Sequence, residues 1–237
     1  MQTILGGNGQ IGEELARELK RNYTSDIRIV SRRPEKVNNT DTTFPADLTN
    51  ASSAEKAIEG SDIVYFTLGL PMDTALWEKQ FPVITKNVIN ACNTHSAKLV
   101  FFDNTYMYPQ NDQVLTENSS FAPVGRKGKV RKAMTEMILA EMIAKKTEVV
   151  ICRAPEFYGP SKTQSITNTL VFDNIKANKT LKVTISDTTL RNLIWTPDAS
   201  RATALIGNTP EAYGQTWHLP IDNQRLTYHM LKASNMQ

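Results

Sequence analysis

LGGNGQIGEEL, residues 5–15, is the stretch from which the fold can be read. It closes a short apolar run, sets glycines at 6, 9 and 12, and passes straight into QIGEELARELKRN (10–22). There Ile11, Leu15 and Leu19 recur one helical turn apart, so the segment is expected to be a helix with one apolar face. A strand that ends in glycines and reopens as a helix makes a tight turn. Its backbone can approach a diphosphate closely, and the first helical turn offers free N–H groups at the positive end of the dipole. On this reading Gly6, Asn8, Gly9, Gln10, Ile11 and Gly12 form a dinucleotide cradle. The alternative is a tight turn that holds nothing.

The same alternation continues outward. DIRIVSR (26–32) and TTFPADL (42–48) read as strands, and NASSAEKAIEG (50–60) as a short helix with a polar start and a glycine stop. DIVYFTLGL (62–70) is a continuous apolar run, as expected for a parallel strand covered on both faces. A long helix follows over 73–96, with Asp73 as its cap and Pro82 as a kink or restart. AKLVFFDN (97–104) is the next strand. Val130, Met134, Met137 and Ile138 mark a helix over 128–146, and EVVICRAP (148–155) returns to strand. Strands alternating with helices of this length predict a doubly wound α/β fold, a parallel sheet of the Rossmann kind. After Pro155 the rhythm breaks. TPDASRATALIGN (196–208) still reads as a helix, with Thr196 as cap and Pro197 in its first turn. The expected organisation is a nucleotide-binding domain over 1–154 and a small substrate lobe over 155–237. The final LTYHMLKASNMQ reads as an unfinished helix, which suggests an abbreviated lobe.

Composition excludes several classes. The 237 residues are 40% hydrophobic and 22% charged with a net charge of +3, ordinary for a soluble globular protein and too mild to require nucleic acid. No apolar run approaches membrane-spanning length, and no secretion signal opens the chain. Three scattered histidines and two cysteines, Cys92 and Cys152, form neither a metal-ligand cluster nor a disulfide framework. A reduced, cytoplasmic protein without metal is expected. Monomer and homodimer both stay open.

The tip of the second strand selects the dinucleotide. Where an NAD site usually carries a carboxylate for the ribose hydroxyls, this chain reads Ser31, Arg32, Arg33. Hydroxyl and guanidinium suit a 2′-phosphate, so NADP is expected over NAD. The alternative is an exposed basic turn. A second basic cluster is denser: five of the seven residues from Arg126 to Lys132 are cationic, at the start of a helix whose dipole is already positive there. An anion could bind Lys129, Arg131 and Lys132. A solvated helix start, with Lys132 paired to Glu136, is the alternative.

Taken together, GGNGQIG, ADL (46–48), FTLG (66–69), FFDNTYMYP (101–109) and CRAPEFYGP (152–160) resemble the extended short-chain dehydrogenase/reductase superfamily, specifically its NAD-dependent epimerase/dehydratase branch, over nearly the whole chain. The resemblance implies adenine contacts from Asp47 and Leu48, and a loop of Thr67, Leu68 and Gly69 along the adenosine ribose. It also implies a tyrosine four residues before a lysine as the proton-transfer pair. Here Lys132 takes the lysine position, where it would hold the nicotinamide ribose, but Gly128 stands at the tyrosine position. Asn104 stands where the family has a catalytic serine or threonine. Asn can donate a hydrogen bond but cannot act as a general acid. Tyr106 could bring a phenol from another direction, whereas Tyr108 reads as a packing aromatic. Asn104, Tyr106 and Lys132 are therefore the candidate catalytic residues. The expected activity is an NADP-dependent epimerase/dehydratase-like oxidation or reduction of a small polar carbonyl, alcohol or nucleotide-sugar-like substrate, neutral or anionic. The rival expectation is a dinucleotide-binding sensor or scaffold that has lost its acid.

Overall fold

The computed structural model describes residues 1–160, 165–179, 186–221 and 227–230. In its first strand Ile4 and Leu5 are both fully buried, yet they belong to two different apolar cores. Successive strand residues point to opposite faces, so a strand that is apolar without interruption needs a layer of helices on each side. The same division recurs at Val64/Tyr65 and at Val149/Val150.

Seven parallel strands make the sheet: β1 (Gln2–Leu5), β2 (Ile27–Ser31), β3 (Thr42–Pro45), β4 (Ile63–Phe66), β5 (Lys98–Asp103), β6 (Val149–Arg153) and, late in the chain, β9 (Thr216–His218). Their order is β3-β2-β1-β4-β5-β6-β9. The helices α1 (Gln10–Asn22), α2 (Ala51–Ile58), α3 (Thr74–His95) and α4 (Arg126–Ala144) connect them in the first part. Helices α2, α3 and α4 feed one core, and α1 with α6 (Thr196–Gly207) feeds the other. Two short strands, β7 (Glu156–Tyr158) and β8 (Leu193–Trp195), form a separate parallel ladder, and α5 (Asp173–Lys176) continues a π-helical turn over Asn168–Phe172.

The doubly wound sheet is as expected, with several corrections. The stretch after residue 154 is not separate in space throughout. β9 pairs with β6, α6 packs on α1, and the Ser200 hydroxyl donates to the Ile11 carbonyl at 3.1 Å. A parallel sheet needs both faces covered, and α6 supplies part of that cover. The run 62–70 is strand only to Phe66, where the chain leaves the sheet along its carboxyl edge. Pro82 does not interrupt α3, which runs through it, while Asp73 caps that helix through Ala75 N and Leu76 N. Thr196 is the first helical residue of α6 rather than its cap; Trp195 holds the cap position. Of the final 226–237 stretch, only 227–230 fall within the described residues.

Candidate functional site

The strand order reverses direction between β1 and β4, where ligands characteristically sit in open α/β sheets. A cleft of about 500 Å³ opens there. Its floor is the turn after β1. Gly6 has φ +84°, and a Cβ on it would lie 2.6 Å from Leu68 Cα, so the turn fits only glycine. No side chain caps α1 at Gly9, which leaves its first-turn amides beside the cleft without a side-chain partner. The Gln10 Oε1 on the same wall is buried without a partner among the described residues.

Of the residues expected from sequence, Gly6, Asn8, Gly9, Gln10, Ile11, Ser31, Arg32, Asp47, Leu48, Thr67, Leu68 and Gly69 line this cleft. Gly12 does not. It lies behind the turn, where an added Cβ would stand 2.6 Å from the Gly6 carbonyl oxygen. Arg33 is not among the lining residues and is exposed. At the rim, Asp47 accepts from the Thr49 hydroxyl at 2.7 Å and the Thr49 amide at 3.0 Å. These bonds hold its carboxyl below the usual range, with help from the Arg32 charge. Sequence reading missed Ala46, Thr49, Leu70, Gln80, Ile84 and Phe157 on the walls. Gln80 and Ile84 sit four apart on α3, a spacing that could have paired them once one was known.

Asn104, Tyr106 and Lys132 are not among the cleft-lining residues. Asn104 follows β5 directly. Its Oδ1 accepts from Tyr106 N at 3.0 Å, while its Nδ2 has no partner among the described residues. Tyr106 is 39% exposed and stacks on Trp77, with centroids 6.3 Å apart and planes 13° from parallel. The Trp77 indole in turn donates to the Pro71 carbonyl at 2.7 Å, on the segment that lines the cleft. Burial pushes the Tyr106 phenol above its ordinary value, and the Glu156 carboxylate adds to this. It is protonated at neutral pH. Tyr108 is a packing residue, as read from sequence: it is buried, and its hydroxyl meets Arg153 at 2.6 Å, His218 Nε2 at 2.7 Å and the Thr116 carbonyl at 3.0 Å.

Gly128 has a steric reason. A Cβ there would lie 2.5 Å from the Tyr106 carbonyl oxygen and 2.8 Å from Pro123 Cβ. The first turn of α4 presses against the backbone after β5, and no side chain fits between them.

The basic run is mostly neutralised from within. Arg126 makes a two-pronged pair with Glu78, at 2.8 and 2.5 Å. Lys127 donates to the Met72 carbonyl at 2.9 Å and lies over the Trp77 ring. Lys132 faces Glu136 at 3.6 Å. Arg131, expected to address an anion, is buried instead. It meets Asp103 at 2.6 Å, and Asp103 also accepts from Asn104 N at 2.8 Å, the Thr135 hydroxyl at 2.9 Å and Arg153 Nε at 3.2 Å. The helix start pays for three of its five cations with carboxylates of this chain; among the described residues Lys127 has a carbonyl and a ring instead, and Lys129 has no carboxylate partner.

Cys92 and Cys152 are buried thiols. Burial pushes both up, Cys152 to about 12. Among the described residues no group of three or more His, Cys, Asp or Glu is placed to hold a metal ion, and no helix is long and apolar enough to cross a membrane.

Residues 3–219 match the model of the NAD dependent epimerase/dehydratase family. The chain belongs to that family. Among solved structures, a dTDP-glucose 4,6-dehydratase from Streptomyces venezuelae, described with NAD bound, superposes with a TM-score of 0.88 at 16% identity, covering 100% of this chain and 80% of that one. A UDP-glucuronic acid 4-epimerase from Bacillus cereus, described in complex with UDP-glucuronic acid and NAD, gives 0.86 at 16% identity, with 100% and 84% covered. The protein described as Pal from Bacillus thuringiensis gives 0.84 at 18%, with 98% and 81% covered. At these identities the likeness is one of fold. No match was found among curated protein sequences.

Proposed function

We propose that this member of the family binds NADP across the cleft and works as an epimerase/dehydratase-like oxidoreductase on a small polar carbonyl, alcohol or nucleotide-sugar-like substrate. The observation that carries the reading is the cleft itself: a glycine floor, uncapped amides at the start of α1, and Arg32 at one end with Ser31 beside it. The amides would hold the diphosphate, Arg32 the 2′-phosphate above the turn that Ser31 keeps in shape, and Asp47 with Leu48 the adenine edge. Bound there, the nicotinamide would supply hydride transfer. This chain's share of the chemistry falls to the residues after β5. The Asn104 amide nitrogen is free to donate to a substrate oxygen, and the protonated Tyr106 phenol can hold or give the accompanying proton. Lys132, 3.6 Å from Glu136 in an exposed pair, would keep the ribose-holding role that the resemblance implies. The ladder of β7 and β8, which brings Phe157 to the cleft wall, would shape the substrate side, so the lobe is proposed to be this ladder and its neighbours, without α6 and β9.

Fluorescence titration with NADPH and NADH tests the binding, and NADPH oxidation over a panel of carbonyl compounds tests the chemistry. Turnover that disappears in Tyr106→Phe while NADPH binding survives supports the enzyme. The steric closure at Gly128 favours a second reading, a dinucleotide-binding sensor. Tight NADPH binding without turnover on any carbonyl, and the same in Tyr106→Phe, would establish that one instead.

A further inference from the structure

We infer that Asn8 is the residue that makes the cleft selective for a 2′-phosphate, acting at a distance as the brace of the turn that carries Ser31 and Arg32. This rests on the NADP reading above. The Asn8 side chain crosses from the glycine turn to the end of β2 and uses both halves of its amide. Nδ2 donates to the Glu35 carbonyl at 2.9 Å, while Oδ1 accepts from the Glu35 amide at 3.0 Å and from the Ser31 hydroxyl at 3.2 Å. The Ser31 oxygen then accepts from Arg33 N at 3.2 Å. One amide thus fixes residues 31, 33 and 35 around Arg32.

The far side of the same segment is fixed separately. Asp41 is fully buried and accepts from Val37 N at 3.1 Å and Asn38 N at 2.7 Å, and Asn38 Nδ2 donates to the Ala16 carbonyl at 3.0 Å. Between these anchors Arg32 faces the cleft and Arg33 faces solvent. Without the Asn8 brace the exposed half of the turn has no other side-chain tie to the glycine loop among the described hydrogen bonds. Arg32 would then spend its time over a wider range of positions, and a charge-assisted bond to phosphate needs a fixed fork. The glycine floor and the α1 amides make no use of the Asn8 side chain, so the rest of the nucleotide should bind as before.

The test is calorimetric titration with 2′,5′-ADP and with 5′-AMP, which differ only in the 2′-phosphate, on wild type, Asn8→Ala and Asn8→Ser. The expected result is that wild type prefers 2′,5′-ADP. Both variants weaken 2′,5′-ADP about tenfold, or about 1.4 kcal/mol, and 5′-AMP less than twofold. A wild type indifferent to the 2′-phosphate overturns the NADP reading. A wild type that discriminates, with variants that discriminate equally well, overturns the role of Asn8 alone. Amide exchange gives an independent measure: the Glu35 N–H should exchange faster in both variants while that of Gly6, bonded to the Val30 carbonyl at 2.8 Å, is unchanged. Equal acceleration at both amides means general loosening and overturns the inference.

Discussion

The two ends of the carboxyl edge carry similar residues and use them in opposite ways. At the β1–α1 end, Ser31 and Arg32 flank an uncapped helix start, and the Arg32 guanidinium makes no ion pair among the described residues. At the β5–α4 end, a denser cluster of cations is absorbed: Arg126 by Glu78, Arg131 and Arg153 by Asp103, Lys132 by Glu136. A basic run announces a ligand only where the fold leaves its charge unanswered. The second end has been closed, and Gly128 allows the closure by letting α4 touch the Tyr106 backbone.

The largest effect should come from breaking the absorbed end. In Asp103→Asn two buried guanidinium groups lose their shared carboxylate, and stability should fall by about 3–5 kcal/mol in urea unfolding. A loss under about 1 kcal/mol would mean that the network is not what secures α4. Next is Gly128→Tyr, which puts back the family's phenol. Overpacking against a backbone carbonyl should cost about 1–3 kcal/mol or more and bring no gain in carbonyl reduction over the wild type; a stable, more active variant would show that the closure can open. At the free end, Arg32→Ala should weaken NADPH about tenfold, close to 1.4 kcal/mol, and NADH hardly at all, with stability unchanged. Equal losses for the two nucleotides would put Arg32 outside the 2′-phosphate site.

The smallest effect concerns Asp47. Its folded pKa is depressed, so its contribution is present above the unfolded value of about 3.9 and is lost as pH falls through the lower folded one. The carboxylate is exposed, so the stability involved is small. Thr49→Val should move its carbon-13 titration midpoint upward. No movement would separate Asp47 from Thr49.

Most of the first end was legible in the sequence, because glycine spacing, helical periodicity and the strand tip are local signals. The Ile11, Leu15 and Leu19 stripe is buried as its spacing requires. The second end was not legible in the same way. That Arg131 meets Asp103 depends on packing α4 against the end of β5, which no local pattern in GRKGKVRK states. Phe157 reaches the cleft from β7, whose pairing with β8 spans a long sequence separation that no local pattern states. The placing of α6 has the same origin: it packs with α1 by tertiary contact, across 189 residues between Ser200 and Ile11.

That long reach has a consequence during synthesis. Helix α1 is made well before α6, the partner that packs on it, which emerges almost two hundred residues later. At typical elongation rates of about 5–20 residues per second, the interval is roughly ten to forty seconds. Throughout it the nascent chain leaves the apolar surface of α1 that meets α6 uncovered, a natural landing place for a holdase chaperone. A shortened product ending before residue 196 would never outgrow that need.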